Sequence, residues 1–315
     1  MRRGDKKVIE RTGNTLPRET FLPKGVHRSR ALPSPALAAL WDSIVVEERI
    51  KTRLLSQAVL NFTIRAKVSR TVLPLHGVIL LIGPPGTGKT SLALGLADRV
   101  ARSFSAPAFQ LLEVDPHILA SSAMGKTQRS VSELFAQSIA EASSAGPTIV
   151  LLDEVETLAV DRSKVSFEAN PVDVHRATDA VLVQLDALAE QYPHLLFVAT
   201  SNFPQAIDDA FTSRCDLIME IPLPDRDACA KILADCLTGL GAMFPPIGKI
   251  ATSREFPVCA AECVGLDGRA VRKIVANALA SSPTVAMDPG SVTSADLLRA
   301  AREAKIARVK EGVKA

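Results

Sequence analysis

The segment Gly83-Pro84-Pro85-Gly86-Thr87-Gly88-Lys89-Thr90, followed by Ser91, constrains this chain more than any other. It fits G-x-x-x-x-G-K-[ST]. The apolar run Val78–Ile82 ends directly before it, and a helical pattern begins directly after. A strand turning sharply into a helix through glycines directs several backbone N–H groups into one small space. The helix N-terminus adds its dipole, so such a loop is a cradle for phosphate oxygens. Lys89 is placed to reach β- and γ-phosphates, and the Thr90 hydroxyl to hold Mg²⁺. A chance glycine-rich turn rarely reproduces both the spacing and the strand–loop–helix context. ATP and Mg²⁺ are therefore the expected ligands, with Gly83 through Ser91 as their cradle.

A cradle of this kind needs a parallel sheet behind it, and the chain supplies one. Five short apolar runs have strand composition: Val78–Ile82, Phe109–Val114, Thr148–Leu152, Leu195–Thr200 and Leu217–Ile221. Between them Thr90–Phe104, Ser130–Ser143 and Asp173–Glu190 carry apolar residues at helical spacing. In the last, Val174, Ala177, Val181, Leu185 and Leu188 share one face. Alternating strands and helices predict an α/β fold, a doubly wound, parallel five-stranded sheet covered on both sides. After Pro222 and Pro224 the strand pattern stops, and Arg226–Leu240, Gly268–Ala280 and Ser294–Val309 read as helices. The expected organisation is a flexible basic arm over 1–32, a nucleotide-binding domain over 33–222 and a helical lid over 223–315.

Further polar residues fall where such a sheet places chemistry. Thr148–Leu152 delivers Asp153 and Glu154 to its carboxyl end, where ligands bind in open α/β sheets. Asp153 can complete a Mg²⁺ shell through water, and Glu154 is placed as general base for an attacking water. Asn202 closes the strand Leu195–Thr200 and would orient that water. Arg214, in Asp208-Asp209-Ala210-Phe211-Thr212-Ser213-Arg214, can reach a neighbouring subunit's nucleotide, which is favoured over a surface ion pair. Arg269 heads a lid helix and could fold back onto the phosphates, whereas Arg272 and Lys273 read as solvated.

Taken in order, the P-loop, Asp153-Glu154, Asn202, Arg214 and Arg269 resemble the motifs of AAA+ ATPases. The likeness extends to Leu40-Trp41-Asp42-Ser43, to Asn170-Pro171-Val172-Asp173 with Arg176 and Ala180–Asp186, to Thr200-Ser201-Asn202 and to Gly265–Lys273. These resemble the pachytene-checkpoint type, also named for thyroid-receptor interaction, over roughly residues 33–310. The resemblance implies a homohexamer that remodels HORMA-domain proteins, loosening a flexible element so that a closed, partner-bound state reopens. The short arm is similar to that of compact bacterial relatives found beside HORMA proteins and a cyclic-oligonucleotide synthase in antiphage systems. It also implies a central pore loop at Leu119–Lys126. Ala123 there takes the family's aromatic position, which leaves Met124 as the large apolar group that would grip substrate.

Composition weighs against several other classes. Aromatic residues are only 4%, with Trp41 and Tyr192 the sole members of their kinds, which disfavours a base-stacking platform. A net charge of +3 decides little, since a dedicated nucleic-acid binder usually shows a stronger, more clustered excess. Arg2, Arg3, Lys6, Lys7 and Arg11 read first as a solvated tail, with a nucleic-acid-loading ATPase that sets them on phosphates, or a generic unfoldase of other substrates, as the alternatives. No apolar run approaches the roughly 18 residues of a membrane span, and no apolar segment backs the basic N-terminus. Cys215, Cys229, Cys236, Cys259 and Cys263 lack paired spacing and read as reduced, buried thiols of a cytoplasmic protein.

Overall fold

The computed structural model describes residues 25–105, 108–114, 127–159 and 171–312. Its first strand, β1 (Val26–Leu32), is followed by α1 (Pro35–Ser43), α2 (Glu48–Ile64), β2 (Val78–Ile82) and α3 (Lys89–Arg102). Next come β3 (Phe109–Val114), α4 (Thr127–Glu133), a π-helical segment (Leu134–Ile139), α5 (Ala140–Ala145) and β4 (Thr148–Leu152). The domain closes with α6 (Pro171–Gln191), β5 (Leu195–Ser201), the short α7 (Asp209–Thr212) and β6 (Leu217–Glu220). The strands form one six-stranded sheet in the order β1-β3-β4-β5-β2-β6.

The five expected strands are all present and mutually parallel. The sixth is a correction. Residues 26–32, expected within a flexible arm, pair antiparallel with β3 from Val26↔Val114 to Leu32↔Phe109. Only the end residues Val26 and Leu32 are buried, and the middle, His27-Arg28-Ser29-Arg30, is polar. An edge strand takes its stability from the ladder, so it needs no apolar run. Arg30 adds a hydrogen bond from Nε to Glu113 Oε1 at 2.7 Å, and Gln110 Nε2 donates to Ser29 Oγ at 2.8 Å. The sheet thus takes in Val26–Leu32 of the expected arm, and residues 1–24 lie outside the described ones.

Strand alternation divides the core. Val78 and Leu80 of β2 pack on one side with Phe135 of the π segment, Val181, Leu185 and Leu188 of α6, and Phe197 of β5. Ile79 and Leu81 face the other way, onto α1, α2 and α3. Phe135 and Phe197 stack at 5.9 Å, which fastens the π segment to the sheet. The side chains of Val174 and Ala177 lie outside the described residues. On the other face α1 and α3 meet at Gly95, where an added Cβ would lie 2.6 Å from Trp41 Cβ.

The lid is helical, as expected: α8 (Arg226–Gly241), α9 (Pro245–Ile250), α10 (Phe256–Glu262), α11 (Gly268–Leu279), α12 (Pro283–Met287) and α13 (Ser294–Gly312). Its separate core holds Ile232, Leu233, Val271 and Ile274 together with Cys229, Cys259 and Cys263. Burial pushes the Cys263 thiol up to about 12 and that of Cys229 to about 11, so these sulfurs stay protonated and inert. Among the described residues no group of three or more cysteines, histidines or acids could hold a metal, and no helix is long and apolar enough to cross a membrane.

A candidate nucleoside-triphosphate site

At the carboxyl end of β2 the chain turns through Gly83–Gly88 into α3. Gly86 and Gly88 have φ of +80° and +92°, a region that L side chains rarely adopt. Both are also approached closely by other elements. A Cβ at Gly88 would lie 2.7 Å from Ile44 Cδ1, and one at Gly86 would collide with the Asp267 carboxylate of the lid. The loop is therefore gripped from both sides, with the lid packed directly on it.

Lys89 opens α3 and is buried. Its ammonium donates to Gly83 O, Pro84 O and Asn202 Oδ1, each at 2.8 Å. Burial lowers its pKa, and the carboxylates of Glu156, Asp153 and Glu154 oppose that shift. Thr90 donates from Oγ1 to Asp153 Oδ1 at 2.9 Å. Thr200 Oγ1 donates to the same carboxylate and accepts from Glu154 N at 3.2 Å. Three strand ends, β2, β4 and β5, thereby bring the expected cation ligands into contact.

Glu154 is the one non-glycine residue with positive φ among the described residues, at +53°. Strain of this kind persists only where surrounding contacts impose it, as they do at functional sites. Here Asn202 supplies one contact, its Nδ2 donating to Glu154 Oε1 at 3.2 Å. The amide thus bridges Lys89 and Glu154, its oxygen toward the ammonium and its nitrogen toward the carboxylate. Sequence reading missed Glu156, which accepts from Asn202 N at 3.1 Å and so fixes the turn that presents the amide. Its position two residues beyond Glu154 was the only signal.

The lid supplies the remaining wall. Asp267 caps α11, accepting from Arg269 N and Ala270 N at 3.0 Å each, while Arg269 N also donates to Gly86 O at 3.2 Å. A cleft of about 410 Å³ lies between this helix start and the P-loop. Ile44, Val45, Ile232 and Ala276 give it an apolar side, and Ser91, Arg269 and Lys273 line it as well. Gly86–Gly88 connect the cleft to the polar cradle, so an apolar base and a charged phosphate chain fit opposite ends. Arg272, expected to be solvated, instead lines the cleft and donates to Ser43 O at 2.6 Å.

Arg214 stands apart from this group. Its Nε donates to Asp186 Oδ1 and Oδ2 at 3.0 and 3.1 Å, its Nη2 to Oδ2 at 2.7 Å, and its Nη1 to Ala210 O at 2.7 Å. Burial alone would raise the Asp186 carboxyl, but the Arg214 hydrogen bond and charge hold it below the usual range. His76 and Arg70 also approach Asp186, at 3.5 and 4.0 Å. The pore-loop candidate Met124 lies outside the described residues.

Comparison with known proteins agrees with this geometry. The profile of the ATPase family associated with various cellular activities (AAA) matches residues 79–223. CD-NTase-associated protein 6 of Pseudomonas aeruginosa is 69% identical over 294 residues, 93% of this chain and 97% of that protein. The pachytene checkpoint protein 2 homolog of Xenopus tropicalis is 32% identical over 284 residues, 82% of this chain but 65% of that longer protein. Among solved structures, C. elegans PCH-2 superposes with a TM-score of 0.70 at 24% identity, covering 90% of this chain and 75% of that one. The E. coli MS115-1 HORMA:CdnC:Trip13 complex contains a chain that superposes with a TM-score of 0.69 at 19% identity, over 88% of this chain and 94% of that one. These two share the fold. With sequence identity running almost end to end along the Pseudomonas relative, this chain belongs to the AAA ATPases, in the branch that holds CD-NTase-associated protein 6 and the pachytene checkpoint proteins.

Proposed function

We propose that this chain hydrolyses ATP with Mg²⁺ in a cytoplasmic homohexameric ring and uses the energy to reopen HORMA-domain proteins. In a bacterial setting it would restrain a HORMA-activated cyclic-oligonucleotide synthase in antiphage defence. The observation that carries the ATPase reading is the bridge Lys89–Asn202–Glu154 beside Thr90–Asp153. It supports reading Lys89 as the phosphate-binding cation, Glu154 as the base and Thr90 with Asp153 as the cation ligands of one strand-end crevice. The HORMA reading rests on relationship: the 69% identical relative is named for association with a CD-NTase, and a structural neighbour was solved together with HORMA and CdnC.

The residues divide the work as follows. Backbone N–H groups of Gly83–Thr90 receive the phosphates, and Lys89 exchanges one of its oxygen contacts for a phosphate oxygen. Thr90 and, through water, Asp153 hold Mg²⁺, which when bound neutralises charge on the phosphate oxygens. Glu154 takes a proton from the attacking water, and Asn202 keeps that carboxylate aimed. Arg269 approaches the phosphates from the lid, and Arg214 meets the nucleotide of a neighbouring subunit. Met124 grips the substrate chain in the pore.

The test is paired. ATP turnover and release of a HORMA protein from its bound partner are measured for the wild type and for Glu154→Gln, which keeps shape but removes the base. Wild-type release in ATP, with turnover reduced roughly 10²–10⁴-fold in the variant, is expected. A wild type that turns over ATP yet never releases a cognate HORMA complex overturns the remodelling reading. Near-normal turnover in Glu154→Gln removes that residue from the base role.

A further inference from the structure

The segment joining α1 to α2 holds a junction that the ATPase chemistry does not itself require. At Ile44 the backbone is extended, with φ −84° and ψ 118°, so successive side chains point to opposite sides. Ile44 and Val46 pack into the core of the nucleotide-binding domain, while Val45 between them packs into the core of the lid. Ile44 also lies against Gly88 of the P-loop. Four consecutive residues, 43–46, thus touch the cradle, the body and the lid.

Arg272 closes this junction from the lid side. It lies three residues beyond Arg269 on α11, hence on the same face. The helix start is docked by Arg269 N on Gly86 O, and one turn later the Arg272 guanidinium donates to Ser43 O at 2.6 Å, with Nη1 3.6 Å from Cys236 Sγ. The bond crosses from lid to body, and its acceptor directly precedes the two apolar wall residues Ile44 and Val45. Its donor and those walls line the same cleft.

We infer that Arg272 is a positioning residue for the adenine nucleoside: by latching α11 to Ser43 it holds the Ile44–Val45 wall and the lid in their closed relation. This rests on the nucleotide reading of the cleft. Without the latch the closed lid is a smaller fraction of the population, and apparent affinity falls by that fraction. A charged donor on a carbonyl corresponds to an affinity loss on the order of ten-fold or more. The loss falls on the nucleoside part of the ligand, because Lys89, Thr90 and the P-loop amides are untouched.

The experiment titrates the full-length protein with a fluorescent ADP analogue and, by competition, with uncharged adenosine. Wild type, Arg272→Ala and Arg272→Lys are compared. Arg272→Ala is expected to weaken both ligands by a similar factor, on the order of ten-fold, and to raise KM for ATP more than it lowers kcat. Arg272→Lys, which keeps one donor on a shorter head group, should recover part of both. If Arg272→Ala weakens ADP but not adenosine, the residue acts as a phosphate charge and the latch is refuted. Unchanged binding of both ligands refutes it as well. Should the alanine variant fail to fold, Arg272→Met, which keeps an apolar stem but removes every donor, takes its place, and wild-type binding of ADP and adenosine by that variant refutes the latch equally. A wild type that binds no ADP strikes the nucleotide reading itself, which separates the two failures.

Discussion

Replacing Asn202 with alanine tests the catalytic reading at its narrowest point. The amide accepts from Lys89 at 2.8 Å and donates to Glu154 at 3.2 Å, so the variant removes two hydrogen bonds to charged groups. Each such bond contributes about 1.5–3 kcal/mol. The two losses fall on different steps. Lys89 keeps Gly83 O and Pro84 O at 2.8 Å, so nucleotide affinity should fall less than about ten-fold. Glu154 loses the donor that aims it while its strained backbone stays fixed, and one bond of that size lost in the transition state slows hydrolysis about 10- to 150-fold. Asn202→Asp separates the two contacts, because it keeps an acceptor for Lys89 but turns an oxygen toward Glu154. It should bind nucleotide well and hydrolyse no faster than the alanine variant. The assay is single-turnover hydrolysis at saturating ATP beside a binding titration. Hydrolysis within three-fold of wild type in Asn202→Ala, with binding intact, would refute the bridge as a catalytic device.

Two further outcomes follow from the geometry. Mixing Arg214→Ala chains with Glu154→Gln chains should regenerate some intact interfaces and exceed the ATPase rate of either parent; mixed rings that never do so would leave a trans role for Arg214 unsupported. Gly95→Ala should destabilise the protein by about 1–3 kcal/mol despite the better helix former, since the new Cβ would sit 2.6–2.8 Å from Trp41 Cβ, Cα and N and no rotamer change relieves a backbone contact. A denaturant melt showing Gly95→Ala as stable as wild type would contradict the close packing of α1 on α3.

What the sequence disclosed and what it withheld divide along physical lines. The P-loop was legible because a phosphate cradle needs glycines at fixed spacing, and the central strands because burial on both faces makes them unbroken apolar runs. Strand β1 was hidden, since an edge strand holds its place through backbone bonds to β3 and buries only its two ends. The apolar wall of the cleft was hidden for another reason. Ile44, Val45, Ile232 and Ala276 come from three separated stretches, and an apolar side chain that lines a cleft looks in sequence like one that fills a core. Arg272 was misread as solvated because its acceptor is a backbone carbonyl 229 positions away, which leaves no trace in side-chain pattern.

Arg214 shows where reading and structure meet without coinciding. The sequence offered two alternatives, a surface ion pair or a reach toward a neighbour, and the structure supplies the ion pair, with Asp186. The alternatives are compatible on donor arithmetic. A guanidinium carries five N–H groups. Nε–H and one Nη2–H engage Asp186 and one Nη1–H engages Ala210 O, which among the described residues leaves one on each terminal nitrogen. Those two form part of the fork with which arginine meets phosphate. An unpartnered arginine on a four-residue helix end would lose conformational freedom on meeting a neighbour's nucleotide, whereas one already fixed by Asp186 loses less. On this argument the intrachain pair prepares Arg214 for the trans contact proposed for it, and Asp186→Ala should lower the ATPase rate of the assembled ring rather than raise it.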